Sequence, residues 1–329
     1  MAMMVLVTLC LRNGKMINIT LYNNQLRSAW NAFVKRSKNG LFFFQREYME
    51  YHSDRFIDHS LLFYQENKLI ALLPANKQDT LLYSYGGLTF GGIISDHKMK
   101  TSLMLDIFDE LKTYMQEYKF NRLIYKAIPS IYHTYPSEED LYALFVNNAQ
   151  LIRRDVSASI HLHEKIHYGK GRKWSVKKSR SKNYDVVITD DFDSFMKIEE
   201  EMLVSKYGVK PVHTHQELSL LQSLFPDNIK LFAIYDQCQM FGGVVIFEST
   251  HVAHAQYIAA TDKGKQEGVL DCILDYLITD YYSHKRYFDF GISTEKDGRY
   301  LNKPLIQNKE SYGARSLVHD FYELRINQD

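Results

Sequence analysis

Apolar residues recur at helical spacing in four places along the chain. Leu26, Trp30, Phe33 and Val34 predict one helix, stopped at Asn39-Gly40. Met104, Ile107, Phe108, Leu111 and Met115 predict a second. Phe192, Phe195, Met196, Glu199, Met202 and Leu203 predict a third, with Thr189 or Asp190 as its cap and Gly208 as its stop. Leu270, Ile273, Leu274, Leu277 and Tyr281 predict a fourth. Two other stretches alternate around a polar turn and read as hairpins: "LLFYQENKLIALLPA" (Leu61–Ala75) and "KLFAIYDQCQMFGGVVIF" (Lys230–Phe247).

The order of these elements occurs twice. Each hairpin leads into a strand with a tyrosine, "LLYSYGG" at Tyr85 and "HAQYIAA" at Tyr257. A polar, lysine-containing loop, an amphipathic helix, a charged turn and a strand follow in both cases. Those last strands are "KFNRLIYKAI" (Lys119–Ile128) and "HKRYFDFGI" (His284–Ile292). The offset is 172 residues at the tyrosines and 164 at the last strands, so the intervening loop differs in length. Five elements in one order predict an internal duplication. The fold class expected is mixed α/β: two tandem units, residues 1–163 and 164–329, each a sheet flanked by helices, with a cleft between them. Clefts of that kind are preferred ligand sites.

Composition agrees with this. A chain of 329 residues is long for one core and suits two units of roughly 150–170 residues. With 45% apolar and 24% charged residues it reads as an ordinary globular protein. A net charge of +1 gives the whole molecule no attraction for nucleic acid or an anionic membrane, so any basic site is local. Cys10, Cys238 and Cys272 are few, odd in number and far apart, which predicts reduced thiols and a cytoplasmic protein. Met1–Leu11 is apolar but far shorter than the roughly 20 residues that span a bilayer, and reads as a first strand or leader.

The element order resembles the GNAT acyltransferase fold. Its duplication resembles the Fem-type aminoacyltransferases of peptidoglycan cross-bridge synthesis, and more closely their acyl-CoA-using bacterial relatives linked to envelope polysaccharide synthesis. The motifs that carry the resemblance lie between about Gly169 and Leu324: "GRKWSVKKSRSKNYDVVIT", "AHAQYIAATDKG" and "FDFGIS…LNKPLIQNKESYGA". The resemblance implies transfer of an acyl group from acyl-CoA, acetyl-CoA first, to an amino group of a sugar or cell-envelope precursor. No metal is expected. The work would be done in the cytoplasm or peripherally at the inner face of the membrane. A Fem-like transfer from aminoacyl-tRNA is the alternative, although no sustained heptad run suggests the coiled-coil arm that Fem enzymes often carry. A catalytically inactive binding module is a third reading. Stable nucleic-acid binding is expected only with tRNA, and the oligomeric state is left open.

Acyl transfer to an amine needs a held donor, a deprotonated nitrogen and stabilisation of the oxyanion. Asp262–Gly268 is expected to form a loop opening the fourth helix. Lys263, Gly264, Lys265, Gln266 and Gly268 would there hold the pyrophosphate of CoA, as the resemblance implies, or simply turn the chain. In the strand His251–Ala260, alternation puts His254 and Gln256 on one face and Tyr257 on the other, unless a bulge rotates it. An imidazole titrates near neutrality, so His254 is a candidate base. Tyr257 could protonate a leaving thiolate.

Asp289 alternates with Phe288 and Phe290 and points away from both. It is expected either to orient or deprotonate the acceptor, with a pKa raised by burial, or to pair with Arg286 or a nearby lysine. Beyond it, Gly291 and Ser293 would turn the chain. Asn302, Lys303, Lys309 and Glu310 would line the acceptor pocket, unless they form a solvated loop. The run Lys170–Lys182, with Trp174, reads as a solvated linker or a phosphate site through Lys177, Lys178 and Arg180.

In the first half, Tyr85 and the glycines after it resemble the acceptor wall of the duplicated families. This half is expected to shape the cleft while the second carries the reaction. The histidines of "HLHEKIH" (His161, His163, His167) and "HTH" (His213, His215) have ligand-like spacing but lack a cysteine or carboxylate set. No glycine-rich nucleotide fingerprint, nucleophile elbow or paired CxxC occurs.

Overall fold

The computed structural model describes residues 16–326, so the expected leader at Met1–Leu11, with Cys10, lies outside the described residues. The four periodic stretches are helical. Arg27–Arg36 buries Trp30, Phe33 and Val34, and Thr101–Glu117 buries Met104, Ile107, Phe108, Leu111 and Met115. Phe192–Tyr207 ends on Gly208 with φ 67°, but its cap is Asp191 rather than Thr189 or Asp190. The Asp191 carboxylate accepts from the Ser194 amide three residues on, the reach a short acidic side chain has at a helix start. The fourth is Val269–Tyr276 followed by a wide turn over Leu277–Tyr281, and Gly268, φ 74°, separates it from a short helix before it, Asp262–Glu267.

Both hairpins form, as Leu61–Gln65 with Lys68–Leu73 and as Ile229–Asp236 with Gln239–Glu248. The strands that follow are Leu81–Tyr83 and Val252–Ala260. Each pairs in parallel with the strand beyond its helix, Arg122–Lys126 and Tyr287–Ile292 respectively. The fold is therefore the expected mixed α/β duplication. Each unit also carries a further helix and strand: Glu139–Val146 then Gln150–His161, and Lys303–Ser311 then Arg315–Arg325.

Those final strands are exchanged. Gln150–His161 pairs with Tyr287–Ile292 of the second half, Arg315–Arg325 pairs with Arg122–Lys126 of the first, and the two pair with each other. The exchange fuses the halves along one eleven-stranded sheet, while the first hairpin belongs to a separate four-stranded sheet. Near the middle of the exchanged pair, Arg154 grips Asp320 through two hydrogen bonds of 2.6 and 2.7 Å.

Aromatic rings close the remaining contact between the halves. Phe42 packs 5.4 Å from Phe225 and 5.6 Å from Phe247. Burying such a ring stabilises by about 1.5–3 kcal/mol. At the surface Arg55 pairs with Glu217 across the same junction. No described helix is long and apolar enough to cross a membrane.

Candidate active site

The contact between the halves encloses a cleft of about 240 Å³. The first half supplies Phe42, Phe43, the segment 86–90 and Tyr132, and the second supplies His213, Phe247, His254 and Gln256. The glycines after Tyr85 thus form a wall of it. Tyr85 itself is buried behind that wall, with its hydroxyl donating to the Met49 carbonyl at 2.8 Å.

The strand Val252–Ala260 does carry a bulge. Val245 pairs with Tyr257 and Ile246 with Ala255, so Gln256 is the extra residue. An inserted residue resets alternation. Tyr257 therefore turns to the face of His254, where it joins the core containing Val252 and Ala259. The parallel pairing with Tyr287–Ile292 stops at His254 opposite Asp289. Beyond that point this edge of Val252–Ala260 has no strand partner among the described residues.

Asp289 is fully buried, while Phe288 and Phe290 face the core on the other side of the sheet. Neither Arg286 nor a lysine is its ion partner. His254 Nδ1 lies 2.7 Å from Oδ2, Ser157 Oγ donates to Oδ1 at 2.7 Å, and the Tyr132 hydroxyl donates to Oδ2 at 3.3 Å. Burial pushes the Asp289 pKa up, as expected. The hydrogen bond and charge of His254, aided by His319 and Ser157, outweigh it and hold the carboxyl below its ordinary range. Asp289 is an anion.

In the neutral form of the His254 ring an anionic acceptor at Nδ1 fixes the tautomer: Nδ1 carries the proton and Nε2 keeps its lone pair. That Nε2 makes no hydrogen bond to the described residues, and the ring lines the cleft. Gly291, φ 74°, runs beside it, where an added Cβ would stand 3.2 Å from His254 Cε1. Lys309 anchors this turn by donating to the carbonyls of Gly291 and Ile292, each at 2.8 Å. Burial lowers the Lys309 pKa to about 8, against the pull of Asp289.

Other expected positions lie elsewhere. Asn302, Lys303, Lys309 and Glu310 do not line the cleft. They belong to the helix Lys303–Ser311, for which Asn302 is the cap and Pro304 sits in the first turn. Ser293 is buried, with a hydroxyl that has no partner. The loop expected at Asp262–Gly268 is helical from Asp262, capped by Thr261 Oγ1 accepting from the Gly264 amide. Gly264 serves close packing, because a Cβ there would meet the Phe241 carbonyl at 2.2 Å. Lys263 pairs with Asp236 at 3.0 Å, Lys265 with Asp262 at 2.9 Å, and Gln266 is exposed. A hollow of about 500 Å³ opens beside this helix start, lined by Met202, Ser205, Thr261 and Lys265 among others.

The basic run forms a helix, Lys170–Arg180, and is no linker. It packs on the helix Val269–Tyr276, with Ser179 3.4 Å from a Cβ placed at Gly268. Lys177, Lys178 and Trp174 face solvent, whereas Arg180 pairs with the buried Asp275.

No family model matches the sequence, and no curated protein matches it. In three dimensions the chain is similar to FemX, with a TM-score of 0.66 and 9% identity over 94% of this chain and 98% of that one. It is similar to L-PGS from Bacillus licheniformis, with a TM-score of 0.60 and 13% identity over 92% of each chain. A tandem GNAT protein from the clavulanic acid biosynthesis pathway gives 0.52 and 9%, over 95% of this chain and all of that one. The chain has the tandem GNAT fold. At these identities the likeness concerns the fold and no particular residue. Within this tandem GNAT fold, the pair His254–Asp289 stands where the duplicated units meet.

Residues of this centre that periodicity did not single out are Ser157, Tyr132 and His319. His213, set aside as half of a histidine pair, lines the cleft. Tyr257 does not line it, and meets His213, whose Nδ1 is 2.6 Å from the Tyr257 hydroxyl.

Proposed function

We propose that the protein is an N-acyltransferase, moving an acyl group from acyl-CoA to an amino group of a sugar or cell-envelope precursor. The observation that carries this reading is the His254–Asp289 pair, with the open nitrogen of His254 in an apolar cleft built by both halves. Nε2 accepts a proton from the acceptor amine as its nitrogen attacks the acyl carbonyl, and Asp289 stabilises the imidazolium so formed. The unpaired edge beyond His254 offers main-chain groups against which an extended donor can lie. The hollow beside Thr261 and Lys265 has room for its phosphates. Alignment of the two reactants supplies much of the rate, since effective concentration alone is worth about 7–11 kcal/mol at best.

A second reading, an aminoacyl-tRNA donor, is favoured by two features. Asp262 occupies the first turn of the helix at which a CoA pyrophosphate would sit, and its charge opposes an anion there. The solvent-facing lysines of Lys170–Arg180 and Trp174, on a helix that packs on Val269–Tyr276, suit a phosphate backbone with bases to stack.

Melting temperature measured with excess CoA, acetyl-CoA, nucleotide amino sugars and tRNA separates the readings. A ligand at 100 times its dissociation constant stabilises by about 2.7 kcal/mol. A shift with CoA supports the first, and a shift with tRNA but not CoA supports the second. No shift with any of them, together with no thiol release from acetyl-CoA, sinks both and leaves a binding module.

A further inference from the structure

His213 and Tyr257 define a second polar device in the cleft. The Tyr257 oxygen accepts from the His213 main-chain N–H at 3.3 Å and lies 2.6 Å from His213 Nδ1. A phenolic oxygen can accept twice, but among the described residues the one proton of Tyr257 has no acceptor other than Nδ1, and we read the bond as Tyr257 donating to it. Nδ1 is then an acceptor, and the ring proton must sit on Nε2. Nε2 has no partner among the described residues, although the ring is only 7% exposed and lines the cleft. Burial, with the charges of His52 and Arg55, lowers the His213 pKa to about 4, so the ring is neutral near pH 7.

The ring is firmly placed. His213 precedes Thr214, whose side chain accepts from the Glu217 amide while the Glu217 carboxylate returns a bond to the Thr214 amide at 2.7 Å. Tyr51 stacks 5.9 Å from the imidazole. Phe247, directly opposite His254 across the strand pair, has its ring 6.4 Å from that of His213. Two imidazoles of opposite hydrogen-bonding sense thus share one small cavity.

We propose that His213 is a second catalytic residue, presenting a fixed Nε2–H to the cleft opposite the open lone pair of His254 and donating it to the oxygen on which negative charge collects. The catalytic part of this assignment rests on the acyl-transfer reading above. Attack of the amine nitrogen forms the C–N bond and moves the carbonyl pair onto oxygen, while His254 takes the N–H proton. The His213 Nε2–H meets that oxygen's charge. When the pair returns, the bond to the leaving group breaks, and the proton on His254 passes to the departing group. A neutral imidazole is suited to this role because it donates a hydrogen bond without surrendering its proton. Tyr257 acts through His213 and is a positioning residue.

The test begins without substrate. Protein labelled with ¹⁵N in histidine is examined by long-range ¹⁵N–¹H correlation at neutral pH, and the signals lost in His213→Gln identify His213. The Nε2–H tautomer in the wild type, mixed with the other form in Tyr257→Phe, is the result expected. An Nδ1–H ring, an imidazolium, or a pattern unmoved in Tyr257→Phe overturns the donor pair. Thiol release from acetyl-CoA with glucosamine as probe acceptor then tests the role. His213→Phe should lower kcat about 10²-fold with little change in KM, and His213→Gln, whose amide can still donate, should recover part of it. An unchanged kcat in His213→Phe overturns the oxyanion role. A wild type that releases no thiol counts against the acyl-CoA reading instead, and the tautomer spectrum still decides the donor pair.

Discussion

The hydroxyl of Tyr132, in the first half of the chain, donates to Oδ2 of Asp289, in the second, at 3.3 Å. The same carboxylate oxygen receives His254 Nδ1–H, so the first half helps to orient a base it does not carry. Asp289→Asn keeps the shape but offers His254 an amide, which favours the wrong tautomer. Turnover should fall about 10²–10⁴-fold with a far smaller change in melting temperature. Tyr132→Phe removes one of three donors and should cost about tenfold in kcat. Steady-state kinetics beside thermal melts check both, and an unaltered rate in Asp289→Asn takes that residue out of the mechanism.

Gly291 sits at φ 74° against the edge of the His254 ring. Gly291→Ala must hold an unfavourable backbone conformation at about 1–2 kcal/mol and press a methyl group on the imidazole. The expected outcome is a lower melting temperature and a kcat loss exceeding that of an equally destabilising core variant. Equal losses in the two would show that the ring is not displaced.

Glu199, on the helix Phe192–Tyr207, is buried with one carboxylate oxygen lacking a partner, and burial raises its pKa to about 7. The folded state therefore binds more protons than the unfolded state between the ordinary glutamate value and about 7. Stability from this group is greatest at low pH, falls as pH rises through that window, and levels off above it. Glu199→Gln should remove this slope and be more stable than the wild type at pH 8, by on the order of 1–3 kcal/mol. Parallel denaturant titrations at pH 5 and pH 8 measure it, and identical pH slopes in the two proteins would refute it.

The three basic residues singled out between Lys170 and Lys182 separate into two kinds. Arg180→Ala strands the buried Asp275 carboxylate, with only Tyr168 still donating to it, and should destabilise by about 1–2 kcal/mol. Lys177→Ala with Lys178→Ala should leave the melt unmoved. The pair should instead weaken a phosphate-bearing donor several-fold and reduce the salt dependence of its binding. A melt that drops for the lysine pair, or binding that ignores it, contradicts this division.

The duplication could be read from sequence because helix and strand periods are local, and Met104–Met115 or Leu61–Ala75 needs no partner to declare itself. His254, Gln256 and Asp289 were reachable by alternation along single strands. Ser157 and Tyr132 were not, since their approach to Asp289 depends on which segments become neighbours 132 and 157 residues apart. Two signals were present but given the wrong weight. Lysine and arginine are good helix formers, so a basic run is as compatible with a helix as with a linker. "NKP" before an apolar-periodic stretch is a helix start, which takes Asn302 and Lys303 out of the pocket. Thr214-x-x-Glu217 is likewise a capping box legible in the sequence, and it would have marked His213 as a residue held at a helix entrance.

The exchanged strands impose an order on the making of the protein. Arg122–Lys126 and Gln150–His161 are synthesised early, yet the strand that lies between them, Arg315–Arg325, is made more than a hundred residues later. Until then the early half holds an open seam, and at about 5–20 residues per second that wait lasts on the order of ten seconds or more. An unpaired strand edge is a template for foreign pairing. A first half left waiting with that seam open is exposed to misassembly through it.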